Sequence, residues 1–414
     1  MRRRGFTIVE LLVSIVVAGV ALAGIYYYYS AVQYGMREQS RISQAQLAAR
    51  LGMELIAGDI QRAGFLATPN SRVDPNVCPN NLIRIHPVVF HQGASGAVFR
   101  SGDAAAPSGS VPNLAANTNV NPDDVVLYGN YLNAEEYLAY TINSARGTIQ
   151  LQPLIQFPVP SEGADAAEQP LTLTDQEFHD LFPDTAFLRI VNRHGFAQFT
   201  RITGDSGFGT RTINVAPSPI QFSPSQPCGV EGWCEGCRVN VVNGVWYRIE
   251  VDPVDSLRTD LVRYFVNQDG QALVTTREVV VPYAIDLQVW FRVAEPPGGA
   301  GGVAFTMNLD PNIPSDLTTL IQSGDVNPPD GTATAEPEAI RSAIVRLTVR
   351  TRMEDPKFPH RPRAMATDRI RSFDVQPTSA GAAHVRTYTT EVEMPNIAFA
   401  NLGISTTPAA PGGP

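Results

Sequence analysis

A chain of 414 residues, 43% of them hydrophobic, carries enough apolar material for one large or two modest domains, and its 33 Gly and 33 Pro argue for many turns. The formal net charge is −9, its arginines form no cluster beyond Arg2–Arg4, and Lys357 is the sole lysine. These features exclude the basic face that nucleic-acid binding requires, so no nucleic-acid partner is expected.

The first element in chain order spans residues 5–29, GFTIVELLVSIVVAGVALAGIYYYY. From Leu11 to Tyr29 there is no formal charge, and 19 such residues rise about 28 Å as a helix, close to the thickness of a bilayer core. Arg2, Arg3 and Arg4 precede it, which by the positive-inside bias puts the N-terminus in the cytoplasm and the rest of the chain outside. Tyr26–Tyr29 fall where an aromatic belt meets the outer interface. Glu10 is the anomaly, because a carboxylate near a bilayer centre costs roughly 2.5–3.5 kcal/mol and somewhat less near the edge.

A short basic leader ending in Gly5, then Phe6-Thr7-Ile8-Val9-Glu10-Leu11-Leu12 and an apolar run, resembles the class III signal of type IV prepilins and type II secretion pseudopilins. The resemblance implies cleavage by a prepilin peptidase between Gly5 and Phe6, methylation of the new N-terminus at Phe6, and an assembly role for Glu10. Glu10 would pair with the N-terminal amine of a neighbouring subunit, which offsets its burial only on assembly. An ordinary secretory signal cut after Ala21-Leu22-Ala23 does not explain the long apolar run or the glutamate within it. A simple anchor leaves Gly5-Phe6 and Glu10 without a reason.

Beyond the span, Ile42, Ala45, Ala49, Met53, Ile56, Ile60 and Ala63 recur at steps of three or four, an apolar stripe suited to packing on a globular domain. Arg37, Glu38, Arg41, Gln44 and Arg50 are suited to solvent, Gly64 to a C-cap, and Pro69 blocks continuation. One helix from Thr7 to Ala63 would be roughly 85 Å long. Gly19, Gly24 and Gly35 are its weak points, since glycine costs about 1 kcal/mol in a helix. The proline that many major pilins carry in this segment is absent, so their kink is not carried over.

Strand patterns follow. Asp123–Gly129 reads as a turn and strand, and 186–191 with 196–202 as a hairpin. Val239–Val242 and Val245–Val251 flank Asn243-Gly244, a pair suited to a two-residue type I′ turn. Residues 261–266 and 272–276 read as a hairpin around Asn267-Gln268-Asp269-Gly270, while 279–281 and 285–293 continue the sheet with Pro282 at a break or edge. Residues 340–351 and 385–392 supply late strands, 95–122 and 294–338 read as insertions or surface loops, and 406–414 as a disordered tail. The expected fold class is α+β, pilin-like. A leader (1–5) precedes a long helix (6–64, with 6–29 transmembrane or filament core) packed on a mostly antiparallel β head (65–405).

Cys78, Cys228, Cys234 and Cys237 lie on the outer side in this orientation, where two disulfides are the default with three possible connectivities. Trp233-Cys234-Glu235-Gly236-Cys237 resembles the thioredoxin active site, but that chemistry needs the first cysteine at a helix N-terminus, and Arg238–Val242 is a strand pattern. The four cysteines do not match a zinc-finger spacing, His86, His91, His179, His194, His360 and His384 are scattered, and Asp325, Asn327, Asp330 and Gly331 miss the calcium-loop pattern. No catalytic residue, metal site or cofactor is expected.

Residues 55–65, 124–128, 339–351 and 388–396 are further similar to large minor pilins of the PilW kind. That resemblance implies a subunit that helps initiate or assemble type IV pili, with a position near the tip. Its implied partners are the prepilin peptidase, other minor and major pilins contacted through the N-terminal helix, the inner-membrane assembly platform, and membrane lipid before assembly. The implied location is the inner membrane, single-pass, and then the pilus or cell surface. A J-like minor pseudopilin of a type II secretion system shares the signal, and a tip adhesin on the same anchor is a further alternative.

Overall fold

A computed structural model describes residues 8–68, 71, 74–78, 83, 85, 87–91, 120, 122–133, 135–143, 145–156, 169–170, 172–216, 228–230, 232–234, 236–293, 307–308, 340–362, 369–376 and 381–398. Gly5, Phe6, the tail 406–414 and nearly all of the two expected loops lie outside the described residues. Helix α1, Ile8–Arg62, runs without interruption through Gly19, Gly24 and Gly35. Its second half buries Ala49, Met53, Ile56 and Ile60, so the apolar stripe faces the core as its period requires. Gly64, at φ +78°, ends the helix and donates its N–H to the Tyr128 carbonyl at 2.8 Å. Arg37, Gln44 and Arg50 are exposed, whereas Glu38, expected in solvent, is buried against the head.

The strands are β1 (Val88–His91), β2 (Asp124–Gly129), β3 (Tyr137–Asn143), β4 (Thr148–Leu151), β5 (Ile155–Gln156), β6 (Gln169–Pro170), β7 (Phe187–Val191), β8 (Ala197–Asp205) and β9 (Thr212–Val215). They continue with β10 (Gly232–Trp233), β11 (Arg238–Val251), β12 (Thr259–Val266), β13 (Glu278–Pro282), β14 (Ala284–Val293), β15 (Met307–Asn308), β16 (Ile340–Arg350), β17 (Ser372–Phe373) and β18 (Ala383–Glu393). Helix α2 covers Asp175–Leu181. All pairings between these strands are antiparallel.

Strand β11 joins two lobes. Its first five residues pair with β7, and Arg238 and Val239 pair on the other edge with β3, so the path β11-β7-β8-β9-β4-β3 closes on itself as a six-stranded barrel. Ile149, Leu188, Ile190, Ile202, Ile213 and Val241 fill it. Phe178 and Phe182, from α2 and its C-cap, join them, and Thr174 with Glu177 closes a capping box that fixes that helix. From Asn243 onward β11 pairs instead with β2 and β12, and β12 pairs with β13. A second sheet, β15-β14-β16-β18-β17, supplies Leu287, Phe291, Val345 and Leu347 to the core that receives α1.

The hairpin 186–202 forms as expected, as β7 and β8. Three other strand expectations are corrected. Asn243-Gly244 makes no turn: neither residue has positive φ, and β11 passes straight through. Gly244 serves close approach instead, because a Cβ there would sit 2.8 Å from the Tyr128 ring, and the Asn243 side-chain oxygen accepts the Tyr131 N–H at 3.0 Å. The turn at Asn267–Gly270 forms and Ala272 bridges Val266, but residues 274–276 make a 3-10 turn, and the strand that goes on to pair with β12 is β13. Thr276 Oγ1 accepts the Phe265 N–H at 2.9 Å and takes the place of a ladder bond there. The chain also changes sheets at Tyr283, φ +60°, so β13 and β14 do not continue one sheet.

On the face of β2 and β11 away from α1, Asp124 is buried beside Trp246 and Arg248. Burial pushes its carboxyl up to about 7, against the opposing pull of the Arg248 charge and the Trp246 hydrogen bond. With its folded-state pKa raised, Asp124 binds a proton that the unfolded chain releases above about pH 4. Its contribution to stability therefore falls from about pH 4 to pH 7 and is flat beyond. Asp124→Asn is expected to raise the melting temperature by roughly 2–5 °C at pH 8 and to leave it almost unchanged at pH 4, read by thermal scans of the full chain in detergent.

Two helix glycines predict opposite signs. A Cβ on Gly52 would meet Val281 Cγ2 at 2.0 Å, while one on Gly58 meets nothing within 4 Å. Gly52→Leu is expected to cost at least about 2 kcal/mol through overpacking. Gly58→Ala should gain about 0.5–1 kcal/mol from helix propensity, both read from denaturant midpoints.

Candidate functional site

Residues 8–31 of α1 are exposed throughout, including Ile8, Leu11, Val16, Leu22 and Ile25. Their β-branched and leucine side chains form an apolar surface all round the helix rather than a stripe. Among the described residues α1 is the one helix long and apolar enough to cross a membrane, and the apolar window is wholly uncovered by the head. Glu10 sits in its first turn, and Ser14 Oγ donates to the Glu10 carbonyl at 2.7 Å. Tyr26–Tyr29 project from the end of the apolar run.

The lower half of α1 is fixed by a buried ionic knot. Asp59 Oδ2 accepts the Tyr247 hydroxyl at 2.6 Å and Arg263 Nε at 2.8 Å, while the Asp59 carbonyl accepts the Tyr131 hydroxyl at 2.9 Å. Burial and then the Asp59 charge hold the Tyr247 and Tyr131 hydroxyls well above the usual phenol range, so both remain donors. Arg263 also reaches Glu278 at 3.5 Å. Burial works against the Arg263 charge, and Asp59, Tyr247 and Glu278 together more than restore it. In the sequence Asp59 reads as a polar break in an apolar stripe. The only local signal for its role is its place on the buried face, between Ile56 and Ile60.

Higher up, Tyr34 and Glu38 meet the segment that follows β16. The Tyr34 hydroxyl donates to Asp355, Arg41 pairs with Glu38, and His384 Nε2 lies 3.2 Å from Asp355 Oδ2. No sequence motif links these residues, which come from three distant segments.

The cysteines are joined two by two, Cys78 to Cys228 with Cα atoms 5.7 Å apart and Cys234 to Cys237 at 5.4 Å. The first ties the segment before β1 to the segment before β10. The second lies in the turn before β11, a strand, so no helix dipole faces Cys234. Of the histidines, His179 Nδ1 pairs with Asp205 at 2.8 Å, and His194 is exposed beside Arg193. His86 and the Asp325–Gly331 run lie outside the described residues.

Removing the carboxylate at position 59 leaves Arg263 and the Tyr247 hydroxyl facing a gap, while Tyr131 keeps its bond to the backbone carbonyl. Asp59→Ala is expected to cost about 3–5 kcal/mol, and Asp59→Asn less, measured by chemical unfolding. If the loss were under about 1 kcal/mol, the knot would not be what seats the helix.

Residues 1–26 match the family described as the prokaryotic N-terminal methylation motif. No curated protein and no solved structure matches the chain. The N-terminus thus carries a type IV prepilin-like signal, on a long apolar helix that leads into antiparallel β-sheets in a pilin-like arrangement.

Proposed function

We propose that this chain is a PilW-like minor pilin, cut by prepilin peptidase between Gly5 and Phe6, methylated at Phe6 and assembled into type IV pili near the filament tip. Residues 1–5 are the leader, 6–64 the spine, 65–405 the outer head and 406–414 a tail. The observation that carries this reading is the division of one 55-residue helix into an uncovered apolar half and a half seated in the head. In the bilayer the first half is solvated by lipid, with the N-terminus cytoplasmic. It leaves only when neighbouring helices cover it, and the assembly platform brings that packing about. Glu10 then meets the N-terminal amine of the next subunit, which selects register during assembly. The disulfides suit a head that works in an oxidising compartment.

The filled barrel makes this head larger than a helix and sheet alone require. That extra lobe suits a subunit present in few copies, because its bulk would obstruct close stacking in a filament made of it throughout.

Co-expression with a prepilin peptidase, followed by intact-mass analysis, tests the proposal. The expected product lacks residues 1–5 and carries one added methyl group on Phe6. Glu10→Ala is expected to be cleaved normally but recovered at least tenfold less in sheared pili. Cleavage after Ala23, or no cleavage, would remove the filament reading, and normal pili with a defect only in protein secretion would assign the chain to a secretion pseudopilus.

A further inference from the structure

At the neck, where the exposed half of α1 meets the head, Glu38, Asp355 and His384 each bring a ligand atom to within 4.8 Å of the others. The three come from α1, from the connection after β16 and from β18. Glu38 is only 9% exposed, and Arg41 satisfies its Oε1, yet among the described residues its buried Oε2 has no hydrogen-bond partner. A carboxylate oxygen out of water and without a donor is costly, and a bound cation would relieve that cost.

The surrounding groups aim the other two ligands. Asp355 Oδ1 accepts the Tyr34 hydroxyl and the Lys357 N–H, the latter at 2.8 Å, which leaves Oδ2 turned to His384. The His384 ring stacks on Phe358 with centroids 4.1 Å apart, which fixes its plane. Locked ligands with hydrogen bonds behind them are the usual outer support of a metal site.

We propose that Glu38, Asp355 and His384 bind a divalent transition cation of the zinc type, which clasps the neck of the long helix to the head. One imidazole with two carboxylates suits Zn²⁺, whereas Ca²⁺ and Mg²⁺ favour oxygen alone. Zinc bonds of about 2.1 Å put tetrahedral ligands roughly 3.4 Å apart, so the cluster tightens by on the order of 1 Å on loading. Glu38 has the rotors to supply that shift. In the loaded site His384 binds through Nε2 as the Nδ1–H tautomer, Arg41 stays on Glu38 Oε1, and a water takes the fourth position. The Lys357 ammonium, 4.9 Å from the centre of the Tyr34 ring, stays on the aromatic face and is not a ligand.

The test uses the full chain in detergent micelles, stripped with a chelator and titrated with Zn²⁺ by calorimetry, with bound metal counted after desalting. One Zn²⁺ per chain is expected. Affinity should fall at least tenfold in Glu38→Gln and in His384→Ala and be unchanged in His194→Ala, and Ca²⁺ should not compete. Because a variant can fail to fold, Co²⁺ is also added to the unmodified chain, where the d–d bands of a four- or five-coordinate site are expected together with a rise in melting temperature. Absence of stoichiometric Zn²⁺ uptake by the unmodified chain, or uptake that both folded variants retain, would overturn the proposal.

Discussion

A carboxylate taken out of water near the end of a long helix is tolerated only where donors converge on it, and this requirement sets how α1 sits on the head. The Asp59 carboxylate is met by Tyr247 from β11 and Arg263 from β12, and the Asp59 carbonyl by Tyr131 from the segment after β2. The apolar stripe alone would accept the helix rotated slightly or slid by one turn, about 5.4 Å, because Ala, Met and Ile contacts have little direction. Three directed bonds do not. Burial supplies the attraction and the ionic knot supplies the register.

The strands that supply these donors are themselves tied to the barrel. β11 gives its first residues to β7 and β3 and its later ones to β2 and β12. Tyr247 therefore stands on the same continuous strand as Val239 and Val241, which line the barrel core. A turn at Asn243-Gly244 would have made the barrel a pendant insertion. Passing straight through makes it an extension of the sheet that holds the helix. The room for this comes from the missing side chain at Gly244, into which the Tyr128 ring fits, and from the Asn243 carboxamide, which accepts a backbone N–H where the strand changes partners.

This explains what the sequence revealed and what it hid. The membrane-length run, the stripe Ala49-Met53-Ile56-Ile60 and the late strands 340–350 and 383–393 were legible because each is a periodic pattern of burial within one segment. Glu38 and Asp59 were not, because a charged residue reads as solvent-facing unless its partners are known: the groups that meet the Asp59 carboxylate lie more than 180 positions away, and of those around Glu38 only Arg41 is local, Asp355 and His384 being more than 300 positions on. The Asn-Gly pair misled for a related reason. Its turn preference is local, while the demand for a small residue came from Tyr128, on another strand. Barrel closure through β3 and β11 was likewise invisible, since no local signal links residues a hundred positions apart. The methylation motif was readable because it lies in one contiguous stretch, residues 1–26; the head's chemistry has no such linear form.

A lever is directed by two points and pivots on one. Glu38 and Asp59 are 21 residues apart, roughly 32 Å along the helix axis. Asp59 alone would fix the base of α1 yet let the upper part swing, since between the two positions the helix offers the head mainly alanine, methionine and isoleucine. The neck contacts of Tyr34 and Glu38 add the second point, at the level where the covered half of the helix gives way to the uncovered one. Force applied to the apolar half therefore reaches the head first through Tyr34–Asp355 and only then through the Asp59 knot. Strengthening the neck stiffens the junction between spine and head, and loosening it converts that junction into a hinge while the base remains seated.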